Sequence, residues 1–124
     1  MPDIRTGKIL YARNIPHKDG GVHPPRRVIV IKPNHTKGVA ECVVAATLRR
    51  PEHDDRCEVL LPHGSNGQPH TQTTFDRPTV AVCGWIEHVP HEDLQQTDGH
   101  VKPHIMSEIL QKVNLMSKQK RDGK

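Results

Sequence analysis

The apolar residues of this chain are gathered into short runs that are separated by polar stretches containing Pro and Gly. Such runs, when rich in β-branched residues, are typical of β-strands. The clearest one covers residues 26–32 (RRVIVIK) and lies between Pro25 and Pro33. The run at residues 39–47 shows no polar alternation, which predicts a strand that is buried on both faces. The predicted strands are residues 8–11, 26–32, 39–47, 57–61, 79–83 and 85–89, with a bend or bulge at Gly84.

The C-terminal part of the chain has a helical period instead. Apolar residues recur at steps of three or four between Ile105 and Met116, which predicts a helix with one apolar stripe. A single helical turn is predicted at residues 90–94. Several short strands followed by a helix favour a mainly β fold, a small antiparallel barrel with a C-terminal helix. We expect residues 1–116 to form this single domain and residues 117–124 to be a flexible basic tail.

The composition limits how much core this chain can build alone. Apolar residues make up 33% of the sequence, and the aromatic residues are Tyr11, Phe75 and Trp85. The core must therefore consist mainly of Val, Ile, Leu and Ala. Because a short chain buries a small fraction of its surface, we expect a homodimer to supply further burial.

The charge balance is basic. Lys and Arg total 18 against 14 acidic residues, for a formal net charge of +4 with neutral His. Such a balance suits an anionic partner such as nucleic acid. The alternative is a neutral domain with a basic tail, since part of the excess lies in residues 118–124.

The cysteines indicate a reducing compartment. Cys42, Cys57 and Cys83 are odd in number and form no CxxC pair, so a disulfide framework is not expected. No apolar run approaches the roughly 18 residues of a membrane span, and no signal-peptide segment is evident. We therefore expect a cytoplasmic protein without a membrane partner.

Three blocks of this sequence stand in a recognisable order. A Gly-led strand precedes a loop with Gly20–Gly21 and an Arg-led strand, a Thr-ended strand follows, and a Val-rich strand leads into the helix. The blocks are residues 7–11, 20–22 and 26–31, then 43–47, then 79–89 with Leu94 and Gly99 after them. In this order they resemble the PemK/MazF family of toxins over roughly residues 7–115. The resemblance implies an SH3-like barrel with a C-terminal helix, usually dimeric.

The resemblance also implies an activity. Active members of the family cleave single-stranded RNA without a metal or cofactor: the ribose 2′-hydroxyl attacks the neighbouring phosphate, and a small antitoxin covers the RNA groove. Arg26 aligns with the family's Arg at a strand start, where a guanidinium would grip phosphate oxygens. Thr47 lies near the family's Thr or Ser, although a slip of one residue would place Leu48 there. Arg26 and Thr47 are thus the candidate catalytic residues, with a solvated Arg and a backbone-bonded strand Thr as the alternatives.

Other candidates for RNA contact lie in the loops and at the strand start. Residues 13–25 are rich in Pro, Gly and His and read as a long exposed loop, which in a compact domain is often functional. Its His residues are also natural proton acceptors or donors near neutral pH, although each could be an ordinary surface residue. The candidate RNA-binding residues are His17, Lys18, His23, Arg27, Arg49 and Arg50.

The chain departs from the family at several positions. Arg27 replaces the family's Pro, and Glu87 replaces an Arg. Val82 and Gly84 stand where some members carry a catalytic Arg and Asp. These losses leave open a second function, a catalytically degenerate barrel that binds protein or nucleic acid.

Paired histidines can also act as metal ligands. The pairs His88 with His91 and His100 with His104 have no Cys or carboxylate that completes a zinc spacing, so no metal site is expected.

Overall fold

The computed structural model describes residues 3–17 and 19–122, and in these residues six β-strands form one sheet that a C-terminal helix covers. The mainly β fold predicted from the sequence is confirmed. The elements are β1 (Lys8–Ala12), β2 (Arg26–Asn34), β3 (Val39–Thr47), β4 (Glu58–Leu61), β5 (Thr79–Pro90), a 3-10 turn (His91–Asp93), β6 (Leu94–His100) and α1 (Pro103–Asp122).

The sheet is antiparallel throughout and has the strand order β4-β5-β3-β2-β1-β6. The barrel-like sheet is not fully closed, because within the described residues β4 and β6 are edges and do not pair with each other. The loop of residues 62–78 lies beside the β6 edge instead, and the His100 N–H donates to the Gln72 carbonyl at 2.8 Å. At the other edge, α1 packs against β4 and β5.

Both faces of the central strands are buried, as the absence of polar alternation predicts. Ile29 and Val43 point to the face that α1 covers, where they share one core with Ile109. Val28 points to the opposite face, where it packs in a second core with Ile15 of the first loop. The N-terminal segment and the loop of residues 13–25 thus cover one face of the sheet, and α1 covers the other.

β5 carries the bulge that Gly84 predicts. Its pairing with β3 shifts register between Val43 and Val44, whose partners are Ile86 and Val82. The lack of a side chain at Gly84 also lets α1 approach, since a Cβ there would lie 3.2 Å from the Met116 methyl carbon. The bulge bends β5 between its two cores.

The structure differs most from the sequence-based expectation at β2, β6 and α1. β2 continues to Asn34, because Pro33 is paired with Ala40 in register and does not end the strand. β6 is an additional strand whose polar sequence, LQQTDGH, gives no hydrophobic pattern. α1 continues to Asp122, so its backbone includes most of the predicted tail; the flexibility of that tail stays a prediction, and residues 123 and 124 lie outside the described residues.

No helix in the described part of the chain is both long enough and apolar enough to cross a bilayer.

Candidate nucleic-acid interface

The start of β2 and the end of β3 lie at the same end of the sheet. Arg27 is paired with Tyr11 of β1, and Thr47 is paired with Thr79 of β5. This end forms an open groove of about 380 Å³, which we call the arginine groove. Arg26 and Thr47, the two candidate catalytic residues, both line it. Its lining residues are Tyr11, Arg26, Arg27, Ala45, Ala46, Thr47, Phe75, Asp76, Arg77 and Thr79.

The groove carries a surplus of positive charge. Arg77 is paired with the neighbouring Asp76 carboxylate at 3.1 Å. Within the described residues, the guanidinium groups of Arg26 and Arg27 form no ion pair, and the Arg26 Nε is buried without a hydrogen-bond partner. A buried N–H donor without an acceptor is costly, so this groove suits a bound phosphate.

Arg27 is held between two aromatic rings. Its guanidinium carbon lies 5.5 Å from the centre of the Tyr11 ring and 5.0 Å from that of Phe75. Phe75 is itself buried in the core beneath α1. Cation–π contacts of this kind fix a guanidinium plane before any ligand arrives.

Arg26 and His23 of the first loop both contact the indole ring of Trp85. Its guanidinium carbon lies 5.2 Å from the centre of the Trp85 ring, and the His23 ring lies 5.2 Å from the same indole. His17 follows, with its ring 4.6 Å from that of His23. Two of the predicted RNA-binding residues therefore stand beside the predicted catalytic Arg26.

The first loop folds back on itself to bring these histidines into place. The His17 N–H donates to the Gly21 carbonyl at 2.7 Å, and the His23 N–H donates to the Ile15 carbonyl at 2.8 Å. Pro16 and Val22 form an isolated bridge between the two arms. The loop is thus a short hairpin that is anchored through Ile15 in the second core.

The surroundings of His23 lower its pKa below the usual 6.5. Desolvation of the imidazole is the largest cause, and the charges of His17 and Arg26 act in the same direction, while Glu87 opposes them. Glu87 accepts a hydrogen bond from the Trp85 indole N–H at 2.8 Å. At neutral pH the His23 imidazole is therefore mostly uncharged and can accept a proton.

The remaining predicted residues have different surroundings. Thr47 is exposed in the groove, whereas the alternative, Leu48, is half-buried and is not among the groove residues. Arg50 donates to both carboxylate oxygens of Glu58 at 2.6 Å, so it anchors the loop before β4. Arg49 is exposed and is also not among the groove residues, and Lys18 lies outside the described residues.

Neither position of the family's acid–base pair reaches the groove. Val82 is half-buried, and Gly84 faces Met116 of α1. Among the described residues, no three His, Cys, Asp or Glu side chains are placed to hold a metal ion.

The structure adds Tyr11, Phe75 and Arg77 to the groove. The scarcity of aromatic residues in the sequence singles out the first two, but no local pattern indicates that they surround Arg27. Arg77 follows a polar loop, and only the tertiary fold brings it opposite β2.

No family model matches this sequence, and no curated protein matches it. Solved structures do share its fold. MazF from Deinococcus radiodurans superimposes with a TM-score of 0.66 at 15% identity, covering 91% of this chain and 94% of that one. An endoribonuclease from a mycobacterial species, in complex with its cognate antitoxin, gives a TM-score of 0.64 at 14% identity, covering 92% and 95%.

The toxin MazF-mt6 of Mycobacterium tuberculosis gives a TM-score of 0.61 at 14% identity, covering 90% of this chain and 96% of that one. At this level of identity the likeness establishes the fold. The fold is that of the MazF toxins, which confirms the resemblance drawn from residues 7–115 at the level of architecture.

Proposed function

We propose that this chain is an endoribonuclease toxin that binds single-stranded RNA in the arginine groove and cuts it through attack of the ribose 2′-hydroxyl. The observation that carries the proposal is that Arg26, Arg27 and the exposed Thr47 line one groove at one end of a MazF-like sheet. Neither guanidinium forms an ion pair with any of the described residues. This combination suits a phosphodiester that gains negative charge in the transition state.

We assign a proposed role to each groove residue from its surroundings. Arg26 is partly buried on Trp85 and presents donors to the phosphate oxygens, so it stabilises the charge that develops during attack. Thr47 donates a hydrogen bond to the same phosphate. Arg27, fixed between its two rings, holds the backbone in position.

His23 supplies the proton acceptor that the lost acid–base pair would otherwise provide. Its ring contacts the indole that Arg26 also contacts, and its lowered pKa leaves it neutral at pH 7. The neutral imidazole takes the proton of the 2′-hydroxyl as the oxygen attacks phosphorus. The bond from phosphorus to the 5′-oxygen then breaks, which leaves a 2′,3′-cyclic phosphate, and the departing 5′-oxygen takes a proton from water to become a hydroxyl. The resulting imidazolium is close to Glu87, whose charge favours it.

A small antitoxin is the protein partner that we propose for this groove. One mycobacterial endoribonuclease of the same fold is known in complex with its cognate antitoxin. An acidic peptide segment would place carboxylates where the RNA phosphates lie. We further propose that the protein acts as a homodimer in the cytoplasm.

Cleavage of a long single-stranded RNA tests the proposal, with Arg26→Ala as the decisive variant. Loss of one preorganised charge stabiliser is expected to lower the cleavage rate by about 100-fold or more. Arg56→Ala is the matched control, since its side chain is 89% exposed and pairs only with Asp54 among the described residues. It should cleave as the unaltered protein does.

The assay also separates the two functions that the sequence leaves open. RNA that binds but remains intact at every protein concentration would establish the degenerate binding module instead. Equal cleavage by Arg26→Ala and the unaltered protein would refute the role of the groove.

A further inference from the structure

A second pocket adjoins the arginine groove, and the two share Tyr11. This pocket, of about 390 Å³, lies between β1, the start of β2 and the turn before β6; we call it the Tyr11 pocket. Its walls include Pro25 and Leu94, and its polar residues are Arg13, Glu92, Asp93 and Gln95. A nucleotide whose phosphate lies in the groove can therefore place its base across Tyr11 into this pocket.

The charge of the Tyr11 pocket is opposite to that of the groove. The Asp93 side chain lines the pocket and is held in place, because its carboxylate accepts a hydrogen bond from the Asn14 amide at 3.0 Å and lies 3.6 Å from the Arg13 guanidinium. Arg13 also donates to the Glu92 backbone carbonyl at 3.0 Å. Carboxylates repel phosphate, so in an RNA site they face the part of the nucleotide that offers N–H donors, which is the base edge.

Two polar side chains in the pocket are free to read that edge. Glu92 is exposed, and within the described residues its carboxylate takes part in no hydrogen bond or ion pair. Gln95 is exposed as well, and the same holds for its side-chain amide in the described part of the chain. Tyr11, which is 37% exposed, offers an aromatic edge or face on which a base can stack.

We propose that the Tyr11 pocket is a guanine subsite, which selects the nucleotide that flanks the cleaved phosphate. A carboxylate accepts two parallel N–H bonds, and guanine is the standard RNA base whose Watson–Crick edge presents two adjacent donors, N1–H and the 2-amino group. Adenine and cytosine place a ring acceptor beside their amino group, which would face the carboxylate. Uracil offers one donor between two carbonyls.

This inference rests on the proposed function for its choice of RNA as the ligand, but its test does not need cleavage. The probe is a fluorescein-labelled oligouridine with 2′-deoxy sugars, which carries one central guanine or hypoxanthine. Hypoxanthine lacks only the 2-amino group. The unaltered protein should bind the hypoxanthine probe about tenfold more weakly, which is the loss of one hydrogen bond to a charged acceptor.

Two variants test which side chains cause the preference for the guanine probe. Glu92→Gln should bring the two probes within about twofold of each other, because an amide cannot accept both bonds at once. Tyr11→Leu should weaken both probes by about tenfold through lost stacking. Glu52→Gln is the matched control for charge, since Glu52 is an exposed loop residue and should keep the full preference.

The outcomes distinguish this inference from the proposed function. Equal binding of both probes by the unaltered protein, or a preference that persists in Glu92→Gln, overturns the guanine subsite even if RNA is cleaved. A guanine preference that depends on Glu92 upholds the subsite even if no RNA is cleaved. If Glu92→Gln leaves the binding of both probes unchanged and weakens only the binding of a basic peptide, the pocket is a protein-docking site and the inference falls.

Discussion

Gly64 controls the loop that supports the arginine groove. A methyl group at this position would lie 1.7 Å from the Gln68 carbonyl oxygen, 2.8 Å from the Gln68 carbonyl carbon and 3.0 Å from the His70 nitrogen. All three are backbone atoms, so no side-chain rotation relieves the overlap. Gly64→Ala must therefore move the chain at Gln68.

That movement has a calculable cost. Ser65 and Gln68 exchange two backbone hydrogen bonds, at 3.1 Å and 2.9 Å, and both break when Gln68 is displaced. At about 1 kcal/mol for each bond, with at least about 1 kcal/mol for the crowding itself, we expect a loss of about 3 kcal/mol. The loop also contains Phe75, which packs against Arg27, so RNA cleavage should fall with stability.

Urea denaturation followed by circular dichroism measures this loss, and two other glycines provide the controls. Gly67 has a φ of +78°, and a methyl group added there would have no neighbouring atom within 4 Å, so Gly67→Ala should cost only about 1 kcal/mol of backbone strain. Gly21 has neither constraint, and Gly21→Ala should change stability by less than about 0.5 kcal/mol. The steric reasoning is wrong if Gly64→Ala is no more destabilising than Gly67→Ala.

Three further outcomes are expected. Ile109→Ala removes a fully buried side chain of α1 and should cost about 2–5 kcal/mol in urea denaturation, whereas the exposed Leu115→Ala should cost less than about 0.5 kcal/mol. Glu58→Gln weakens the two bonds from Arg50 and should cost about 1–2 kcal/mol, with a non-zero coupling energy in a double-mutant cycle. Because the pKa of His23 lies below 6.5, the cleavage rate should rise with pH through that lower value and level off by pH 7; His23→Gln should abolish this rise.

The centre of the sheet could be predicted from the sequence because its residues are apolar on both faces. β3 matches its predicted bounds, Val39–Thr47, since turn residues precede it and a polar loop follows it. β6 could not be predicted in this way. Most of its residues are exposed, and it is held by backbone pairing with β1 and by the close approach of Gly99 to Thr73, whose carbonyl oxygen would lie 2.7 Å from a Cβ at Gly99.

Within the candidate site, the sequence predicts where a residue lies along its strand, but it does not predict which residues its side chain contacts. Arg26 and Thr47 lie at strand ends, and antiparallel pairing brings such ends together. From the sequence alone Arg50 is as good an RNA-binding candidate as Arg26, because its positive charge can be read directly from the sequence. Its contact with Glu58 depends on how the intervening loop closes, which the sequence does not show. The contact between His23 and Trp85 likewise depends on the return path of the first loop.

The bulge in β5 explains why an indole stands beside Arg26 at all. In a regular strand, residues two apart share a face, so Cys83 and Trp85 would both point toward α1. Cys83 does belong to the core beneath the helix, but Trp85 packs against the second core on the opposite face. The register shift at Gly84 reverses the alternation between them. A single glycine in the sequence therefore determines which face receives the indole, and with it the surface on which Arg26 and His23 meet.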